Sequence, residues 1–214
     1  PQGNTGGNGA SGTGSWGQAL SISGTQESGF FGASLSRRMV GPTSMIGIGA
    51  TGELGQTGRL YVYQGADAVL AQTITPTGED VSAFGRSHAF ASASEGTTPN
   101  QGYLGVSYAQ AGVGKVDIYR ESSELANDYT FLQTITDGSS SLYGATVQAY
   151  GTDFMVGDPL FSNQGAVYFY QFNFESGIFT KSQTLSASNI ATNDHFGKSL
   201  DFSDSLAMIG SNGN

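Results

Sequence analysis

An aromatic residue followed by glycine recurs four times along this chain, as Phe31-Gly32, Phe84-Gly85, Tyr143-Gly144 and Phe196-Gly197, at intervals of 53, 59 and 53 residues. Similarity at a near-constant period is the mark of one supersecondary unit used again and again, so the chain is constrained to an array before any local reading begins. Three further columns recur in the same order. A hydroxyl stands two residues after each glycine, at Ser34, Ser87, Thr146 and Ser199. A Gly-x-apolar-x-apolar-Tyr element follows at Gly58–Tyr63, Gly114–Tyr119 and Gly165–Tyr170, and a Gln-x-Ile/Leu element at Gln72, Gln133 and Gln183.

Apolar residues come in short runs rich in Val, Ile, Tyr and Phe, separated by Gly, Asn, Asp and Ser, which is the pattern of short strands rather than helices. In the third column Leu60 and Val62, Val116 and Ile118, and Val167 and Phe169 fall on one face, as the two-residue period of a strand requires. Four strands in roughly 50 residues is the size of one propeller blade. The expected fold class is therefore all-β, a propeller-like array of four-stranded antiparallel blades with incomplete blades at both ends. Glu121 to Asn127, the one stretch of helical composition, is too short for a helix and is expected as a solvated hairpin loop.

The order of these motifs resembles the FG-GAP repeat, the blade unit of integrin alpha-subunit propellers and of many secreted microbial and algal proteins. Aromatic-Gly-x-Ser comes first, then Val/Ile-Gly-Ala/Asp, Gly-x-Val-Tyr-Val-Tyr and Gln-x-Leu. The run Thr192 to Gly197 is similar to the lead-in of the microbial version. The resemblance covers about residues 13–211. It implies a blade fold and work by binding or assembly. Calcium-binding members carry an Asp-x-Asp/Asn-x-Asp-Gly loop between the first two strands. Here the intervals Ser36–Ser44, Ala89–Gly102, Gln148–Asp153 and Asp201–Ser205 hold no such alternating ligand set, so no metal is expected.

On this reading residues 1–12 are a Gly-rich arm and 13–214 one domain. The domain holds a blade end at 13–20, blades at about 31–75, 84–136 and 143–186, and a half blade at 196–211. The aromatic-Gly pairs are expected in the repeat core. Gln18 and Leu20 match the last-strand column and Trp16 precedes them, so an unfinished blade stands at each end. Three arrangements fit: a piece of a larger ring, a small four-bladed ring with Pro1–Thr13 as an irregular third strand, or a half blade completed by a neighbouring copy. An unfinished blade exposes backbone donors and acceptors that template a strand. Trp16, Gln18, Leu20, Leu206 and Met208 are the candidate inter-chain contacts.

Charge narrows the partners. The net charge is −9, and only 8 Lys and Arg are scattered through 214 residues, so no basic patch for nucleic acid or an anionic membrane is present in the sequence. No apolar run approaches the ~18 residues of a spanning helix, so no membrane insertion is expected. The chain has no cysteine, hence no disulfide or thiolate site. Glycine, 33 residues, is about twice the usual ~7%. Neither His88 nor His195 stands beside a marked nucleophile, and no pair among the 17 acids is singled out for glycosidase chemistry. The expectation is a non-enzymatic extracellular or cell-surface protein without cofactors, structural or adhesive, with a second copy of itself as partner. The alternative is a monomeric module binding a glycan or extracellular protein through Ser94–Gln101 or Asp137–Ser141.

Overall fold

A computed structural model describes residues 21–40, 43–92, 102–122, 128–137, 140–189, 191–203 and 206–213. Among them lie fifteen strands in four antiparallel sheets. Sheet 1 is β1 (Phe31–Val40), β2 (Thr43–Ala50), β3 (Arg59–Gln64) and β4 (Val69–Ile74), in that order. Sheet 2 holds β6 (His88–Ser92), β7 (Gly102–Gln110), β8 (Val113–Glu121) and β9 (Tyr129–Ile135). A two-residue strand, β5 (Val81–Ser82), pairs with the far end of β7. Sheet 3 is β10 (Thr146–Tyr150), β11 (Asp153–Asp158), β12 (Ala166–Asn173) and β13 (Ile178–Leu185), and sheet 4 is β14 (Ser199–Phe202) with β15 (Ala207–Gly210).

The sheets repeat one another in register. The hydroxyl column faces a small residue on the second strand: Ser34 opposite Gly49, Thr146 opposite Gly157, Ser199 opposite Gly210. In sheet 2 the same place is held by Ser87 and Ser107, joined by a 2.8 Å backbone hydrogen bond. The fourth strand of each complete sheet carries a bulge at one position. Ala71, Leu132 and Ser182 are the extra residues, each directly before the column glutamine. A bulge inserts one unpaired residue and re-aims its neighbour, so the glutamine is turned out of its own sheet.

Neighbouring sheets pack face to face in the order 1-2-3-4. Met45, Leu60, Val62 and Ile74 of sheet 1 meet Phe84, Leu104, Val106, Tyr119 and Tyr129 of sheet 2. Val116, Ile118 and Ile135 of sheet 2 meet Tyr143, Val147, Phe154, Tyr168 and Phe179 of sheet 3. A smaller cluster joins Met155 and Val167 to Leu200, with Phe196 and Ile209 packed against it. Because both faces of sheets 2 and 3 are covered, their central strands are apolar on both faces.

The aromatic-Gly pair works as a hook onto the preceding sheet. The backbone of Phe84 crosses Gly58, and that of Phe196 crosses Gly165, as short parallel bridges. At either glycine a Cβ would collide with the aromatic residue's backbone oxygen and nitrogen, and both sit at positive φ (+91° and +106°). Only glycine fits such a crossing. Of the aromatic rings, Phe84 and Tyr143 are fully buried, whereas Phe31 and Phe196 are only partly so. The core expectation therefore needs correcting for those two. Phe196 sits against a two-stranded sheet, and Phe31 belongs to the first sheet, which has no preceding one among the described residues.

Candidate assembly edge

Two kinds of polar contact fasten one sheet to the next. Hydroxyls of the first strand reach across. Ser34 Oγ donates to Gly85 O at 2.6 Å, Val147 N donates to Ser87 Oγ at 2.9 Å, and Thr146 Oγ1 donates to Lys198 O at 2.8 Å. At the outer strands the bulge-turned glutamines pair with a single residue of the next sheet. Gln72 Nε2 donates to Tyr129 O (3.0 Å) while its Oε1 accepts from Tyr129 N (2.8 Å). Gln133 does the same to Phe179, at 3.0 and 2.7 Å. Each grip satisfies both backbone groups of a residue that is 3% exposed and would otherwise be left unpaired in a dry interface.

A set of acids is instead tied up within a sheet, or between sheet 3 and the segment that leads into it. Glu53 is fully buried, accepts from Tyr61 Oη at 2.6 Å and lies 3.6 Å from Arg59. Asp117 accepts from Tyr108 Oη (2.9 Å) and Thr134 Oγ1 (2.6 Å). Asp137 accepts from Tyr168 Oη at 3.0 Å, and Asp158 accepts from Ser140 Oγ at 2.5 Å. Burial lifts the Asp117 carboxyl above its ordinary range, opposed by its hydroxyl donors. It lifts Asp158 to about 6, with the negative charge of Asp137 adding to the shift. Arg86, which donates to Tyr143 O at 2.9 Å, is pulled down by burial, opposed by the negative charge of Asp158. Sequence reasoning singled out none of Glu53, Asp117 and Asp158. Their signal was present, since Tyr61, Asp117 and Tyr168 occupy one column, and Ala50, Tyr108 and Asp158 another. In sheet 2 the tyrosine and the acid have exchanged strands relative to sheet 3.

Glu121 corrects an expectation. Instead of a solvated loop residue it closes β8 at 1% exposure, 2.8 Å from Arg38 of β1. Arg38 also donates to Tyr129 Oη at 3.3 Å. The short polar run after Glu121 hid that its first residue still belongs to the strand.

His88 lies on β6, 4% exposed, wedged over Gly47 of sheet 1, where a Cβ would strike its ring. Its Nδ1 is 2.8 Å from Ser34 Oγ. Because that hydroxyl gives its proton to Gly85, the ring nitrogen is the donor. Burial holds the imidazole down to about 4, with the Gly47 backbone a weaker counterweight. Among the described residues Nε2 meets no hydrogen-bond partner, and no carboxylate stands behind the Ser-His pair. His195 stands in the turn before Phe196 at φ 56°. No group of three His, Cys, Asp or Glu side chains among the described residues is placed to hold a metal ion.

The series ends in an edge. In sheets 1 to 3 the second strand is paired on both sides, but among the described residues β15 pairs only with β14. Leu206 and Met208 are 60% and 62% exposed there. A groove of about 510 Å³ runs along Ser199, Leu200, Asp201, Met208, Ile209 and Gly210. Gln183, on the same bulge as Gln72 and Gln133, is exposed and grips nothing among the described residues. Trp16, Gln18 and Leu20 lie outside the described residues, as do the arm 1–12 and Ser94–Gln101. Of Asp137–Ser141, residues 138 and 139 lie outside, while Asp137 and Ser140 are tied inward to Tyr168 and Asp158.

No family model matches the chain, and no curated protein matches it. Among solved structures it is similar to Sqt1 of Saccharomyces cerevisiae, at 14% identity and a TM-score of 0.44, over 78% of this chain and 38% of that one. It is also similar to the GH32 β-fructofuranosidase BmSUC1 of Bombyx mori, at 13% identity and a TM-score of 0.46, over 82% and 40%. The chain thus spans about two fifths of either protein. The class defined is a β-rich fold of repeated, mostly four-stranded antiparallel sheets.

Proposed function

We propose that the chain is a non-enzymatic structural or adhesive protein of the cell surface or extracellular space, built from FG-GAP-type blades, that assembles by completing the unfinished blade of a neighbouring copy. The observation that carries this reading is the edge of β15. Its outward N–H and C=O groups are unpaired among the described residues, and Leu206 and Met208 stand exposed beside them. A flat apolar strand edge of this kind recruits another strand. Head-to-tail contacts whose rotation does not close give a filament. The FG-GAP assignment is supported by the crossing of Phe84 over Gly58 and of Phe196 over Gly165. The location rests on the resemblance and on a chain poor in charge and rich in Gly.

Sedimentation velocity of the 214-residue chain at neutral pH, beside a version lacking residues 1–20, tests the assembly. Large species that disappear on truncation are expected. Folded monomers in both samples would refute self-assembly and leave a binding module in its place.

A further inference from the structure

The glutamine column sets a rule that the structure applies twice. Gln72 grips Tyr129, which stands four residues before Gln133. Gln133 grips Phe179, which stands four residues before Gln183. Each grip is made by a side-chain amide to the N–H and C=O of one residue, so it reads backbone position and is indifferent to the side chain it finds. Gln183 has the same bulge before it and the same register, opposite Phe169, and its amide is exposed. The interface between sheets 1 and 2 and between sheets 2 and 3 therefore continues, in kind, off the outer strand of sheet 3.

We propose that Gln183 takes the backbone N–H and C=O of Gly14 of a second copy, seating that copy's N-terminal strand as the outer strand of the unfinished fourth sheet. This rests on the assembly reading above and gives it a register. The occupant follows from the repeat. Trp16 to Leu20 carries the fourth-strand pattern through Gln18 and Leu20, and four residues before Gln18 is Gly14. In the three complete sheets the third strand precedes the fourth, so the donor's Gly-rich residues upstream of Gly14 run beside β15 and meet its open edge with backbone groups alone.

A second copy is favoured over the same chain by where that strand is tethered. Ile22 packs on sheet 1 against Ile48, Tyr61 and Tyr63, at the opposite end of the series from Gln183. Leu20 is two residues away, so at most about 7 Å of chain separates the end of that segment from sheet 1. The exposure of Leu206 and Met208 shows that sheet 4 does not press its outward face on sheet 1.

Absence of cysteine makes the test clean. The doubly substituted chain Gly14→Cys, Gln183→Cys is oxidised mildly and run without reductant, beside Gly14→Cys, Gln72→Cys, whose position 72 faces the occupied Tyr129. A ladder of disulfide-linked multimers is expected from the first and monomer from the second. A disulfide closed within one chain, or equal ladders from both, or no disulfide at all, overturns the proposal. If the unsubstituted chain still sediments as large species while the 14–183 bond fails to form, assembly stands and Gln183 is removed from it. If it sediments as a monomer, both readings fall.

Discussion

His88→Leu isolates one buried group whose effect on stability can be worked through. Leucine is the residue the repeat itself uses there, at Leu35 and Leu200. The folded imidazole titrates at about 4 because it is buried, against 6.5 in the unfolded chain. Between these values the unfolded state binds more protons, so stability falls as pH falls. The contribution is fully present above 6.5 and lost progressively down to about 4. Integrating the two titrations gives a loss of about 2 kcal/mol at pH 5 and about 3 kcal/mol at pH 4, relative to pH 7. Asp158, raised to about 6, works the other way, since its folded state gains protons first on acidification. That contribution is common to both chains and cancels in the difference. Urea unfolding of the two chains at pH 7 and pH 5 should show the leucine variant gaining about 2 kcal/mol on the parent between those pH values. Stability differences that are equal at both pH values would refute the claim that His88 is buried uncharged.

Gly165→Ala sets a Cβ into the backbone of Phe196 at φ +106°, and strain alone costs about 1–3 kcal/mol. Amide exchange should show β14 and β15 losing protection before sheets 1 to 3, and uniform loss would count against the hook. Gln133→Ala strips both backbone groups of Phe179 and should cost about 2–4 kcal/mol in thermal or urea unfolding. Gln183→Ala in dilute chain should stay within about 0.5 kcal/mol, and equal costs would remove the grip as their cause. Arg38→Met deprives Glu121 of its counter-ion at 2.8 Å, an expected loss of about 3–5 kcal/mol at neutral pH. Recovery on adding Glu121→Leu would show that the stranded charge, and not lost packing, was responsible.

What the residues announce in advance is whatever repeats with one residue type. The hydroxyl, Gly-x-apolar and glutamine columns mark first, third and fourth strands because a backbone crossing tolerates only glycine and a bulge needs a reaching amide after it. The buried acids escape this reading. Asp117 and Tyr168 share a column, as do Tyr108 and Asp158, but each pair is chemically mismatched until the sheets are superposed. Residue type alone also misplaces Glu121, because a carboxylate after a strand is usually solvated, whereas here Arg38, 83 positions earlier, pairs with it inside. Trp16, Gln18 and Leu20 fall outside the described residues, so the N-terminal half of the edge is legible from the sequence alone.

A series in which each sheet touches only its neighbours has a gradient of cohesion along it. Sheets 2 and 3 are held on both faces, whereas β14 and β15, four residues each, lean among the described residues on sheet 3 alone, through Met155 and Val167. In such one-dimensional arrays local opening starts at the terminal unit and moves inward. The surface offered for recruitment is thereby also the part of the chain that melts most readily. A docked strand would freeze it, so a partner arriving at β15 would slow amide exchange in β14, residues 199–202, which it never touches.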